Sequence, residues 1–132
     1  MRVLFVCYGN AYRSPLAEAL LKKIRPDIQI ESAGLMVSIP ISKSIRKFLK
    51  KHDAVQFLKK TPQSLDQKNL KTFNIIITMQ QTQTTAVLKK YPNCKKQIIE
   101  WNIKDPYLLE NVKAEEIYKE IYNKVIELAE SL

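Results

Sequence analysis

The stretch VLFVCYGNAYRSP, residues 3–15, joins an apolar run to a loop and then to a Ser-Pro pair. The run 3–7 is short and continuously apolar, as a buried strand would be. Gly9 and Asn10 tolerate left-handed backbone conformations, which suits a tight loop. Pro15 fits the first turn of a helix and Ser14 is a good capping residue, so a helix is predicted to begin near Ser14. The segment therefore predicts a strand, a loop and a helix in immediate succession.

Such a loop is suited to binding a tetrahedral oxyanion. The first amides of a helix have no backbone acceptor, and amides that point inward from a turn form an anion-binding nest. Arg13 adds a planar guanidinium that can hold two oxygens of a phosphate. A helix N-terminus and a nearby cation also favour a thiolate, so Cys7 is a candidate nucleophile to which Ser14 can donate a hydrogen bond. The Cys-x5-Arg spacing taken alone is equally compatible with a buried strand cysteine and a surface arginine.

Further along the chain, short apolar runs alternate with segments of helical spacing. The apolar runs cover residues 28–32, 73–79 and 97–101, and the helical segments cover 42–51, 64–71, 82–90 and a final stripe from Ile117 to Leu132. This alternation predicts an α/β fold with three layers: a four-stranded parallel sheet with helices on both faces. The phosphate-binding loop would follow the first strand, at the edge where such sheets bind ligands. No repeat or linker is visible, so residues 1–132 are expected to form one domain.

Composition limits the partners of the chain. It has 132 residues, 45% of them hydrophobic, and its 22 basic and 13 acidic residues give a net charge of +9. The charge attracts anions, but the lysines are dispersed, which favours a solvated surface and a phosphorylated substrate over nucleic acid. No apolar run is long enough to cross a membrane and no secretory signal is visible, so we expect a cytoplasmic protein without a membrane partner. His52 is expected at the surface, and neither a metal nor another cofactor is expected.

The segment VLFVCYGNAYRSPLAEALL resembles the opening of the low-molecular-weight protein tyrosine phosphatase family, whose signature is C-x-G-N-x-C-R-S-P. The similarity continues through ESAGL (31–35), FNIIITM (73–79) and WNIKDPY (101–107). The resemblance implies that Cys7 attacks phosphate, that Arg13 and the loop amides bind its oxygens, and that the reaction passes through a phosphocysteine. The phosphate-binding and loop-shaping residues that it implies are Tyr8, Gly9, Asn10, Ala11, Tyr12 and Ser14.

The resemblance also assigns a role to Asp105, which precedes Pro106. Taken alone, an Asp-Pro pair is an ordinary turn signal, in which the proline holds the aspartate in extended geometry. In the family, the aspartate of this pair is the general acid and later the general base. Candidates for the substrate pocket are Tyr107, Met36 and Val37. Phosphotyrosine in a protein is the expected substrate, with a small phosphate ester as the alternative, and the protein is expected to be a monomer or a weak dimer.

Several positions depart from the family pattern. Tyr12 stands where relatives often have a second cysteine, so the reversible loop disulfide should be absent, and Cys94 is expected to be an incidental thiol. Asn74 and Gln80 stand near places where aspartates are common, and neither change has an explanation from the sequence.

Three other functions are compatible with parts of the sequence. Thioredoxin-coupled arsenate reductases share the scaffold but need two further cysteines, one of them near Gln80, to relay electrons. A subgroup that acts on phosphoarginine tends to have threonine at the position of Ala11. A catalytically idle domain that binds anions or nucleic acid would use the positive charge but would need neither Cys7 nor Asp105.

Overall fold

The computed structural model describes residues 1–132 as an α/β fold built on one sheet of four strands. The strands are β1 (Arg2–Cys7), β2 (Gln29–Gly34), β3 (Ile75–Thr78) and β4 (Ile98–Glu100). They lie in the order β2-β1-β3-β4, and each neighbouring pair is parallel. The predicted four-stranded parallel sheet is confirmed, and the central position of β1 explains why its sequence is apolar on both faces.

Four α-helices cover the two faces of the sheet, and they are α1 (Arg13–Ile24), α2 (Lys43–Lys51), α3 (Gln81–Lys90) and α4 (Asn111–Ser131). Alternate side chains of β1 divide the core, because Val3 and Phe5 pack with α1, α2 and α4 while Leu4 and Val6 pack on the α3 side. The three-layer prediction is thus confirmed. No helix in the structure combines the length and the apolar character that crossing a bilayer requires.

The predicted helix at 64–71 is wrong. This segment forms two separate 3-10 helices, Leu65–Gln67 and Leu70–Thr72. Ser64 caps the first by accepting a hydrogen bond from the amide of Asp66, and extended backbone at residues 68 and 69 separates the two. Leu65 and Leu70 are both buried in the smaller core cluster. In one continuous α-helix, two residues five positions apart would not lie on the same face, so both could not be buried in this way.

His52 lies at the surface only in part. Its ring is half-buried between Phe48 and Tyr122, with centroids 4.5 and 4.6 Å away. The histidine follows α2 directly, and its flat apolar face completes the packing between α2 and α4.

The start of α1 differs from the prediction in a way that bears on the site. The helix begins at Arg13, and the preceding Tyr12 makes no side-chain cap. The expected capping role of Ser14 is therefore wrong, and its hydroxyl is turned instead toward the end of β1. Gly9 does not adopt a left-handed conformation; of the two candidate residues, only Asn10 does, with φ of 53°.

Candidate active site

The loop from residue 8 to residue 12 gathers hydrogen-bond donors around the sulfur of Cys7. Cys7 is only 2% exposed, and its Sγ accepts a hydrogen bond from the Asn10 amide at 3.2 Å. Ser14 Oγ lies 2.9 Å from the same sulfur. Because the Asn10 side-chain amide already donates to Ser14 Oγ, at 2.8 Å, the hydroxyl proton of Ser14 is free to point at the sulfur. This arrangement stabilises a negatively charged sulfur.

The amides of the loop are not used by the backbone of the protein. Those of Tyr8, Gly9, Ala11 and Tyr12 have no backbone acceptor. They follow the carboxyl end of β1 and precede the first turn of α1, whose dipole adds partial positive charge. Such a loop can donate several hydrogen bonds to one oxyanion.

Asn10 holds this loop in shape from behind. It is fully buried, and its side-chain nitrogen, Nδ2, donates hydrogen bonds to Ser14 Oγ at 2.8 Å and to Ser32 Oγ at 2.9 Å. Its side-chain oxygen, Oδ1, accepts hydrogen bonds from Lys59 Nζ and from the Gln63 backbone amide, both at 2.8 Å. All of the hydrogen-bonding capacity of the side chain is therefore satisfied, which fixes the left-handed turn.

Below Asn10 lies a buried charge pair that sequence reasoning missed. Lys59 Nζ donates to the carbonyl oxygen of Ser32 at 2.9 Å and lies 3.9 Å from Oε1 of the buried Glu18. Burial lowers the pKa of Lys59 to about 8, against the opposing attraction of Glu18. Ser32 Oγ donates to Glu18, and Lys22 pairs with it from the surface at 2.6 Å. Nothing in the sequence around Lys59 signals this position.

Gly34, at the end of β2, was also missed, although it lies within the ESAGL segment. A Cβ atom at this position would lie 2.6 Å from the amide nitrogen of Asn10 and 2.7 Å from the carbonyl carbon of Gly9. These are backbone atoms that cannot move without changing the loop. Gly34 therefore allows β2 to support the loop at a distance that no side chain permits.

Arg13 reaches the cleft from the first turn of α1, where it is only 1% exposed. Its Nη1 donates to Gln80 Oε1 at 2.7 Å and to the carbonyl oxygen of Ile103 at 2.8 Å. Gln80 follows β3 at the same edge of the sheet as Cys7, so its position was recognisable from the sequence, although its role was not. A neutral amide oxygen thus orients the guanidinium without cancelling its charge.

Asp105 lies opposite, at the rim of the same cleft. Its Oδ2 is 3.6 Å from Arg13 Nη2, and its Oδ1 accepts a hydrogen bond from the Tyr107 amide at 3.0 Å. The side chain is 43% exposed, so it can exchange protons with solvent. The structure thus brings Asp105 into one cleft with Cys7 and Arg13, which precede it by 98 and 92 positions in the sequence.

The cleft between these groups has a volume of about 180 Å³ and largely apolar walls. Tyr8, Tyr12 and Tyr107 contribute aromatic surface, and the rings of Tyr12 and Tyr107 meet edge to face with centroids 6.2 Å apart. Met36 lines the cleft as expected, but Val37 does not, because the chain turns after Met36 and presents residues 38 and 39 instead. Aromatic and apolar walls above an anion-binding floor fit the ring of an aryl phosphate.

The second cysteine is remote from the cleft. Cys94 is fully buried in the core cluster on the α3 side of the sheet, whereas Cys7 belongs to the opposite cluster. Burial raises the pKa of the Cys94 thiol. It therefore has the features of an inert core thiol.

The chain is similar to known proteins over nearly its whole length. The family profile described as low molecular weight phosphotyrosine protein phosphatase matches residues 2–132. The protein-tyrosine-phosphatase PtpB of Staphylococcus aureus is 35% identical over 81 residues, which are 60% of this chain and 56% of that protein's length. The protein-tyrosine-phosphatase Ptp of Acinetobacter johnsonii is 32% identical over 112 residues, covering 80% of this chain and 79% of that protein. A crystal structure of a low molecular weight protein tyrosine phosphatase from T. tengcongensis, 27% identical, covers 100% of this chain and 99% of that one with a TM-score of 0.87.

Proposed function

Because the chain belongs to the low molecular weight phosphotyrosine protein phosphatase family, we propose that it hydrolyses phosphate monoesters, with phosphotyrosine in proteins as the preferred substrate. The observation that carries the proposal is the environment of Cys7 Sγ. This sulfur accepts a hydrogen bond from the Asn10 backbone amide at 3.2 Å and lies 2.9 Å from Ser14 Oγ. Cys7 and Arg13 line the same cleft. A binding site for an anion has no need of a negatively charged sulfur, whereas nucleophilic catalysis requires one.

In the first step, the thiolate of Cys7 attacks phosphorus in line with the leaving oxygen. The P–S bond forms as the P–O bond breaks, and the protonated carboxyl of Asp105 gives its proton to the leaving oxygen. The guanidinium of Arg13 and the free loop amides bind the three equatorial oxygens, whose charge is spread in the transition state. The products of this step are the free hydroxyl compound, such as tyrosine, and a phosphocysteine.

In the second step, water hydrolyses the phosphocysteine. The carboxylate of Asp105 takes a proton from the attacking water, an O–P bond forms, and the P–S bond breaks to return the thiolate and release inorganic phosphate. Ser14 lowers the energy of the departing thiolate by donating a hydrogen bond to it. Asp105 is then protonated again, ready for the next cycle.

Hydrolysis of p-nitrophenyl phosphate tests this assignment. Wild-type protein and Cys94→Ala should turn the compound over, whereas Cys7→Ser should show no turnover. Asp105→Asn should lower kcat by roughly 10²- to 10⁴-fold, and more for phenyl phosphate than for p-nitrophenyl phosphate, because the poorer leaving group depends more on the acid. Asp66→Asn, at an aspartate outside the cleft, is the matched control and should keep wild-type rates. An active Cys7→Ser variant would refute the proposal.

The rival functions have less support. Reduction of an oxyanion would need further thiols near Cys7, and Cys94 lies on the other face of the sheet. An idle binding domain does not explain why Asp105 is held at the rim opposite the sulfur. Phosphoarginine is a less favoured substrate, because Ala11 lacks the hydroxyl that threonine supplies at this position in the phosphoarginine subgroup.

The wider setting follows from the same chemistry. We propose that residues 1–132 form one catalytic domain, that its substrates are phosphorylated proteins or small phosphate esters, and that it works in the cytoplasm. Both cysteines are free, and the reaction requires Cys7 to be reduced, which fits a reducing compartment.

A further inference from the structure

A second depression lies beside the cleft, and we name it the α2–α4 groove. It is lined by Tyr12 and by side chains from two segments, residues 39–46 and 106–118. Tyr12 and Ile39 line both the groove and the cleft, so the two surfaces are continuous. The volume of the groove is about 610 Å³, compared with about 180 Å³ for the cleft. This space suits several residues of an extended polypeptide rather than one ring.

The charged side chains of the groove are all of one sign. Lys43 and Arg46 line it, both exposed, and no aspartate or glutamate does. Helix α2, which supplies both residues, contains no acidic residue at all. A surface of this kind attracts acidic segments and repels basic ones.

The groove also has an exposed apolar wall. Leu108 lines it and is 85% exposed, and the backbone at this leucine has φ of 67°. A leucine backbone in the left-handed region is strained. The loop therefore holds Leu108 in a conformation that a leucine does not prefer. Val112, in the first turn of α4, is also 72% exposed. Exposed large apolar side chains next to an active-site cleft are typical of a contact surface.

We propose that the α2–α4 groove binds the polypeptide segment that flanks the phosphotyrosine of a protein substrate, and that it prefers a segment with acidic residues next to an apolar one. This rests on the phosphatase function proposed above. With the phosphotyrosine ring in the cleft, where Tyr12 and Tyr107 supply aromatic wall, a backbone that leaves the cleft past Tyr12 enters the groove directly. There, acidic side chains meet Lys43 and Arg46, and an apolar side chain contacts Leu108.

Two phosphotyrosyl peptides of equal length test the proposal, one with Asp and Leu around the phosphotyrosine and the other with Ser and Gly. The wild-type protein should show a higher kcat/KM for the acidic peptide, and the preference should weaken at high salt. The double variant Lys43→Glu/Arg46→Glu should lower kcat/KM for the acidic peptide by about tenfold, since each exposed ion pair contributes up to about fivefold. Its hydrolysis of p-nitrophenyl phosphate, which does not reach the groove, should stay at the wild-type rate.

Lys50→Glu is the matched control, because Lys50 lies on the same helix, is exposed and lines neither depression. It should leave the peptide preference unchanged. An equal loss with Lys50→Glu would mean that the overall charge attracts the peptide, and an unchanged preference in the double variant would mean that the groove takes no part; either result overturns the proposal. A change in sedimentation mass on charge reversal would identify a second copy of the chain as the occupant, which also overturns it.

Failure of the proposed phosphatase function is a separate outcome. If the wild-type protein hydrolyses no phosphate ester, the binding of the acidic and neutral peptides, measured by fluorescence anisotropy, still decides the question. Tighter binding of the acidic peptide that Lys43→Glu/Arg46→Glu abolishes supports the groove, and equal binding of both peptides overturns it.

Discussion

Replacement of Asn10 by glycine tests how much the side-chain hydrogen bonds of Asn10 contribute to stability and activity, apart from the left-handed backbone conformation of this residue. Glycine adopts the φ of 53° without strain, so Asn10→Gly removes the side-chain hydrogen bonds and little else. The acceptor of the Gln63 amide and one acceptor of Lys59 are lost, both at 2.8 Å. A buried donor left without a partner costs about 1–3 kcal/mol. Because Lys59 keeps Ser32 as an acceptor, we expect a loss of about 2–4 kcal/mol in the free energy of unfolding.

Asn10→Ala should cost about 1 kcal/mol more than Asn10→Gly, because alanine does not tolerate the left-handed conformation. Urea unfolding followed by fluorescence of the single tryptophan measures both values. The same variants should lower kcat for p-nitrophenyl phosphate by about 10- to 100-fold, since Ser14 loses the donor that orients its hydroxyl and small misplacements at reacting groups are costly.

A double-mutant cycle decides whether Asn10 acts through Ser14. If it does, Asn10→Gly/Ser14→Ala should lower kcat little more than Ser14→Ala alone, because the two side chains form one network. Additive losses in kcat would refute this reasoning, and so would an Asn10→Gly variant with wild-type stability and kcat.

Four further predictions follow from the site. Gly34→Ala should destabilise the protein and lower kcat, measured by urea unfolding and kinetics, because its Cβ would lie 2.6 Å from the Asn10 amide; unchanged values would contradict the close approach. Gln80→Leu should raise the inhibition constant of inorganic phosphate by about tenfold, because Arg13 loses an acceptor that lies 2.7 Å from its Nη1. An unchanged constant would show that the carbonyl oxygen of Ile103 alone orients the guanidinium. Burial lowers the pKa of Lys59 from its ordinary value of 10.5 to about 8, so between these values the unfolded chain binds a proton that the folded protein has lost. The contribution of Lys59 to the free energy of unfolding should therefore rise between about pH 8 and about pH 10.5, be lost as the pH falls back across this range, and stay constant below it. Urea unfolding of Lys59→Met should lack this rise, and equal slopes in the two proteins would argue against a neutral Lys59. Peroxide should inactivate the protein less reversibly than a relative with two loop cysteines, because Cys94 lies across the sheet from Cys7; full recovery with dithiothreitol after prolonged exposure would contradict this.

The features of this protein that could be predicted are those that short contiguous segments of its sequence determine. The apolar run of β1 and the alternation of strand and helix patterns were sufficient for the sheet, because a parallel sheet with crossover helices has few alternatives. The positions of Cys7 and Arg13 followed from the same segment. Asp105 required the resemblance, since an Asp-Pro pair on its own indicates only a turn.

The residues that were missed act through contacts between distant segments. Lys59 lies in a lysine-rich region where nothing marks one side chain as buried, and only the folded chain brings it to Asn10 and Ser32. Gly34 matters because of the backbone atoms in front of it, which its own neighbours in sequence do not reveal. The capping prediction for Ser14 failed for a related reason: Asn10 and Cys7 compete for the hydroxyl, and the helix begins one residue earlier.

Gln80, which stands near a place where aspartates are common in the family, has a physical explanation in the charges at the edge of the sheet. The guanidinium of Arg13 is held by two neutral oxygens, those of Gln80 and Ile103, and the one carboxylate near it is Asp105 at 3.6 Å. A carboxylate at position 80 would pair with the guanidinium, whereas the neutral amide leaves its positive charge available to an anion in the cleft. In the proposed mechanism Asp105 acts as the acid in its protonated state, and in that state it also leaves the charge of Arg13 unopposed. The cleft therefore offers its full positive charge in the protonation state that the first step of hydrolysis requires.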